Sequence, residues 1–171
     1  SATDCRKETW KALSELREQG IMRNVGVSNF AVHHLKDIQE LGLAPIANNQ
    51  IQFSPFVPAS VQETFDYCLK HNITITAYSP LGGLEHNKAK AVETLQKLAD
   101  KYEVSVAQIM LRWALQKGAA VIPGTGNPKH MRQNLAIYDF ELSETDMATI
   151  DGLKHNEEAK RFMYFDVSNF A

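Results

Sequence analysis

Cysteine is scarce in this chain: 171 residues hold only Cys5 and Cys68. Their wide separation matches no metal-ligand pattern and no disulfide framework, so both read as reduced thiols of a cytosolic protein. Long apolar runs are missing too. None approaches the ~20 residues needed to cross a bilayer, so no membrane is expected as a partner. The first residues, Ser1 to Lys7, lack the apolar core of a signal peptide, which leaves the cytoplasm as the default location. The absence of an initiator methionine is what a processed or trimmed product would show. An excess of positive charge is also absent. Lys and Arg number 18 against 20 Asp and Glu, a net charge of -2, which excludes a general nucleic-acid binder. The histidines, including the pair His33-His34, show no ligand spacing with any carboxylate or cysteine. All of them read as surface residues, and no metal site is expected. Linkers, low-complexity tracts and long charge runs are missing, so residues 1–171 read as a single segment.

What is present is a soluble, globular composition, 44% hydrophobic and 22% charged, organised as alternating helices and strands. Glu8 to Gln19 reads as a helix with Trp10, Leu13 and Leu16 as its stripe and Gly20 as its cap. A second starts near Ala31, with Val32, Leu35 and Ile38 spaced by three, and stops at Gly42. A third covers Ala59 to Lys70, with Val61, Phe65, Cys68 and Leu69 facing inward. A fourth covers Lys88 to Tyr102 through Val92, Leu95, Leu98 and Ala99. Ser105 and Gln108 form a capping box, followed by Val106, Ile109, Met110, Trp113 and Ala114 at helical spacing and by Gly118. A last helix starts at Ser143, with Asp146 three residues on, and buries Met147, Ile150 and Leu153.

Four strand-like runs lie between them: Asn24 to Phe30, Asn48 to Gln52, Ile73 to Gly82 and Ala119 to Asn127. Tight strand–helix alternation predicts βαβ units and a parallel sheet. Four such units are half of an eightfold barrel. Parallel sheets are normally covered on both faces. Four strands alone are expected to leave an inner face bare, with Val25, Val27, Ile51, Ile73 and Ile75 on it, and so to need a partner, a second copy or a missing half. The segment Val27 to Ala31 recurs identically as Val167 to Ala171, a repeat with no physical account.

Each run ends in residues that could carry chemistry. Ser28 and Asn29 could hydrogen-bond a ligand carboxamide, or could simply cap the next helix. Gln50, in an apolar strand, must pair its amide with a ligand or a neighbouring backbone, or else lose about 1–3 kcal/mol. Tyr78 ends the third run as a rim residue or as a flat stacking platform. Gly124 and Gly126 flank Thr125, and Asn127-Pro128 is a strong helix start. That turn is an ordinary connection or an anion site.

The order and content of these runs resemble the second half of an aldo-keto reductase, from about Glu8 to about Asn156. The resemblance implies an α/β fold, a (β/α)8 TIM barrel of which this chain represents about half, strands five to eight with their helices. It implies NADPH as cofactor, with NADH as the alternative, and a small aldehyde or ketone as substrate. Ser28, Asn29 and Gln50 match the family's nicotinamide carboxamide contacts, and Tyr78 its stacking aromatic. Ser79, Leu81 and Gly83 match the loop that meets the pyrophosphate. The segment with Gly124, Thr125, Gly126, His130, Gln133 and Asn134 matches the adenosine side. There the common form has lysine, arginine and glutamate where this chain has Gly124, His130 and Gln133, while Thr125 and Asn134 are retained in type. Lys129 and Arg132 stand close enough to compensate. The family's catalytic aspartate, tyrosine, lysine and histidine belong to the first half of its barrel, so no catalytic residue is carried over and the chain alone is expected to be inactive. The alternative is a non-catalytic half-barrel that binds a nucleotide or another protein. An N-terminal half-barrel or a second copy in a dimer is the expected partner.

Overall fold

The structure is a computed structural model that describes residues 2–82 and 89–153. Gly83 and the second copy of the repeat, Val167 to Ala171, lie outside them. The elements run α1 (Ala2–Glu18), β1 (Val25–Ser28), α2 (Val32–Gln39), β2 (Ile46–Gln52), α3 (Ala59–Lys70), β3 (Thr74–Tyr78), α4 (Ala89–Tyr102), α5 (Val106–Gln116), β4 (Ala119–Val121), α6 (Pro128–Leu135), a 3-10 turn (Ala136–Tyr138) and α7 (Glu144–Asp151). The strands form one sheet in the order β1-β2-β3-β4, and β1 and β2 are parallel. That is the α/β layout the alternation predicts. The chain divides into two compact units, and β2 and β3 each pass from one to the other.

The first unit comprises residues 2–51 and 59–76. Its α1 begins six residues earlier than the apolar stripe suggests. Those first turns carry no stripe. They are held by polar ties instead: Arg6 donates to the Thr3 hydroxyl at 3.2 Å and pairs with Asp37 of α2 at 3.8 Å. Farther along α1, Trp10 is buried and donates from Nε1 to the Ala44 carbonyl at 3.2 Å. Ser14 is buried below it, donates to the Trp10 carbonyl and accepts from the Ala44 amide. Helix α3 has the predicted bounds and buries Val61, Phe65 and Cys68. Leu69 is 42% exposed, not inward, because it sits at the margin of that stripe.

The strand faces reverse an expectation. Val25, Ile51, Ile73 and Ile75 are buried in the core and Val27 is half-buried, so they do not form a bare face. The opposite parity carries Gly26, Ser28, Asn48, Gln50, Thr74 and Thr76, all exposed or half-buried. That face is polar, and Asn48 donates across it to the Thr76 hydroxyl at 2.9 Å. A period of two assigns side chains to two faces but does not say which face the helices cover. At Gly26, beside a register shift between β1 and β2, a Cβ would lie 2.7 Å from the Asn48 carbonyl oxygen, so only glycine lets the strands approach so closely.

The second unit comprises residues 52–58, 77–82 and 89–153 among those described. Its core holds Phe53, Leu95, Ile109, Met110, Leu111 and Trp113. Phe53 and Trp113 stack at 5.2 Å between centroids, a pair worth about 0.5–1.5 kcal/mol beyond its buried area. Helix α5 opens on the Ser105–Gln108 capping box. At its far end Gln116 grips the Leu142 backbone from both sides, donating to its carbonyl at 3.0 Å and accepting from its amide at 2.8 Å.

Asp146 ties α4 to the start of α7. It accepts from Lys101 at 2.7 Å, from the Tyr102 hydroxyl, and from the Ser143 hydroxyl at 2.7 Å. These donors, Lys101 first, hold its carboxyl down at about 2, against about 3.9 in an unfolded chain. Folding therefore favours the ionised form. The resulting stability is fully present above about pH 4 and is lost as pH falls through about 2. Asp146→Asn is expected to lose about 1–2 kcal/mol at pH 7, solvent screening of the partly exposed Lys101 discounted. Urea melts of both proteins should converge as the pH is lowered to about 2, where the carboxyl protonates. A gap of constant size would remove the charge from this account.

Candidate functional site

In the first unit the candidate residues lie at the C-terminal ends of β1 and β2. Neither Ser28 nor Asn29 caps α2: the cap position is Ala31, whose amide is held at 3.2 Å by His34 Nδ1. The capping alternative for the pair is thereby removed. His34 itself corrects the surface reading of the histidines. It is 2% exposed, with Phe30 edge-on to its ring at 5.5 Å. As the third residue of α2 it reaches back to the cap, a role periodicity does not reveal.

The loop hangs on Gln50. The Asn29 amide donates to the Gln50 carbonyl at 2.9 Å, and the Ser28 hydroxyl donates to the same oxygen at 3.0 Å. Asn29 takes a φ of +58°, a left-handed conformation that asparagine tolerates better than most residues. Among the described residues the Gln50 side chain, half-buried, has no hydrogen-bond partner, so its amide is available to a ligand. Ser28, Asn29 and Gln50 are therefore gathered within one unit, with hydroxyl and amide groups suited to a planar carboxamide.

One residue of this cluster escapes the sequence reading. Asn49 is fully buried, donates to the Phe30 carbonyl at 2.8 Å and accepts from the Phe30 amide at 3.4 Å. It also lies 3.8 Å from Cys68 Sγ. Three consecutive amide residues, Asn48 to Gln50, give no sequence signal of which one is buried.

In the second unit Tyr78 ends β3, half-buried, its carbonyl accepting from the Phe53 amide at 3.3 Å. Ser79 follows with φ +46°, strained for serine and fixed by a turn in which its carbonyl accepts from the Gly82 amide at 2.8 Å. Leu81 is half-buried beside it. Ser54, buried after β2, donates to the Gly82 carbonyl at 3.0 Å. A Cβ at Gly82 would come within 2.9 Å of the Ser79 carbonyl oxygen.

Strand β4 is drawn beside β3 by the Ile122 amide, which donates to the Ala77 carbonyl at 3.1 Å. The turn after it carries Gly124, Thr125 and Gly126. Neither glycine has a positive φ, and a Cβ on either would meet nothing within 4 Å. The turn reads from sequence as an ordinary connection or an anion site, and the backbone itself does not require glycine at either place. Thr125 accepts from the Asn127 amide at 3.1 Å, and Asn127 caps α6 by accepting from the Lys129 amide at 2.9 Å. Helix α6 buries none of its residues. His130 is exposed, and Gln133 and Asn134 are half-buried. Thr125 and Asn134 line a groove of about 430 Å³ whose walls include Val121, Met131, Leu135 and Tyr138. Its size is in the range of small-molecule sites. Among the described residues no three His, Cys, Asp or Glu side chains gather as metal ligands, and no helix is long and apolar enough to cross a membrane.

A profile described as the Aldo/keto reductase family matches residues 2–155. Glyoxal reductase of Bacillus subtilis is 41% identical over 154 residues, 88% of this chain and 53% of that protein. Aldose reductase B of Dictyostelium discoideum is 36% identical over 152 residues, 88% of this chain and 47% of that protein. Among solved structures, an aldo/keto reductase from Brucella melitensis aligns with 90% of this chain and 57% of its own, at 37% identity and a TM-score of 0.77. The chain spans about half the length of the curated relatives it matches.

Proposed function

The chain belongs to the aldo/keto reductase family, and from that premise we propose that it is the cofactor-binding part of an oxidoreductase that reduces a small aldehyde or ketone to an alcohol. The cofactor in this reading is NADPH, with NADH as the alternative; a relative from Saccharomyces cerevisiae carries the name NADPH-dependent alpha-keto amide reductase. When bound, the cofactor supplies a hydride for the carbonyl carbon. Everything the chain adds is binding and orientation. The observation that carries the reading is the Ser28–Asn29–Gln50 cluster, where the loop is pinned to the Gln50 carbonyl and the Gln50 side-chain amide is left for a ligand.

Ser28, Asn29 and Gln50 then hold the nicotinamide carboxamide, which offers both a donor and an acceptor. Tyr78 supplies the flat face for the ring, and Ser79, Leu81 and Gly83 approach the pyrophosphate. Thr125 and Asn134, with the groove between them, take the adenosine side, and the α6 N-terminus favours a phosphate. His130 and Gln133 stand at the rim of that side.

The chain alone is proposed to lack turnover. Its proposed partner is an N-terminal half-barrel or a second copy. The cytoplasm is the proposed location.

The test uses the open space at Gly124. A lysine there meets no steric obstacle and adds a cation for a 2′-phosphate. Fluorescence titration of parent and Gly124→Lys with both cofactors should show the NADPH preference over NADH rising about 10-fold or more. An unchanged ratio would detach this turn from the adenosine phosphate.

A further inference from the structure

We infer that Asn49 is a positioning residue for the cofactor cluster: it holds the backbone of Phe30 and thereby fixes Ser28 and Asn29 in their ligand-binding arrangement. The inference rests on the cofactor reading above.

Asn49 belongs to the buried parity of β2, together with Ile51. An apolar side chain would pack at such a position with no desolvation cost, whereas a buried amide must find partners. The partners Asn49 finds are informative. One amide donates to the Phe30 carbonyl and accepts from the Phe30 amide, so it substitutes for a neighbouring strand at a single residue. The contact with Cys68 at 3.8 Å is the weaker one.

The flanking residues are held by other means. Asn29 is bonded to the Gln50 carbonyl and Ala31 to His34 Nδ1. Three successive backbone amides, at residues 29, 30 and 31, are thus each claimed by a separate acceptor. Asn29 takes its left-handed turn between these holds. Asn49 supplies the middle hold. Without it, the Phe30 amide and carbonyl lose the partners that hold them here and turn toward water, and Ser28 and Asn29 move with them.

The experiment compares Asn49→Leu and the milder Asn49→Ser with Ser14→Ala, a control at a buried hydrogen-bonding residue of the same unit outside the cluster. Amide hydrogen exchange is read at Asn29, Phe30 and, as an internal reference, Phe65 in α3. NADPH affinity is read by fluorescence. Both Asn49 variants should accelerate exchange at Asn29 and Phe30 by about 10-fold or more while leaving Phe65 unchanged, as a local opening does. NADPH binding should weaken by about 10-fold or more, the scale of a small misplacement of binding groups. Ser14→Ala should keep the parent affinity even where it lowers the melting temperature as much. Unchanged loop exchange, or an affinity loss no larger than that of Ser14→Ala, overturns the inference. A parent chain that binds no NADPH sinks the cofactor reading, and the loop exchange alone then decides whether Asn49 holds Phe30.

Discussion

Mixed with NADPH and 4-nitrobenzaldehyde, the 171-residue chain is expected to oxidise the cofactor no faster than the background rate. Hydride arrival at a carbonyl carbon leaves negative charge on the oxygen, which must be met by a proton. A positioned general acid typically contributes 10²–10⁴-fold. The residues proposed to hold the cofactor offer hydroxyls and amides but no acid poised for that role. One cluster among the described residues does combine an aspartate, a tyrosine and a lysine: Asp146, Tyr102 and Lys101. It is already committed. The Tyr102 proton goes to Asp146, its oxygen accepts from the Ser143 amide at 3.0 Å, and Lys101 is bound to the same carboxylate. That arrangement ties two helices together through three bonds to one carboxylate. Turnover of roughly 1–10³ per second, the ordinary enzyme range, would place a working acid within this chain and overturn the account.

Tyr78→Ala is expected to weaken NADPH binding by about 1–3 kcal/mol, the scale of one lost base–aromatic stack. The Tyr78 carbonyl accepts from the Phe53 amide, a backbone bond that the change leaves in place. A fall in affinity with little change in melting temperature would therefore report on the ring face. Fluorescence titration of the parent and the variant decides it. Equal affinities would remove Tyr78 from the cofactor while leaving the fold untouched.

Local signals were legible where one side chain settles the backbone. Ser105 with Gln108 and Ser143 with Asp146 each start a helix through hydrogen bonds that their own spacing permits, and Asn127 starts one by accepting from the Lys129 amide, with Pro128 set at the first helical position. Helix α3 has the bounds read from its stripe because Val61, Phe65 and Cys68 face one core. What was not legible depends on which surface meets which. Read as half a barrel, the sheet has its apolar strand residues on a bare face, whereas the structure buries Val25, Ile51, Ile73 and Ile75 in the core. Alternation is blind to that choice. The same blindness hid Asn49 between two less buried amides, and His34 within a pair of which only one member is buried. The candidate site was read from strand ends and resemblance. The residues that hold it in shape are visible only once the chain is folded.

Cys68 gives the first unit an internal clock. Its thiol is fully buried, and burial pushes it up to about 11, with the Asn49 hydrogen bond pulling slightly the other way. At neutral pH the native thiol is both hidden and protonated, so an alkylating reagent must wait for α3 to part from β2. The labelling rate then reads the opening equilibrium of the layer beneath the Ser28–Asn29 loop. Cys5, exposed on α1, reacts without that wait and supplies the reference rate in the same sample.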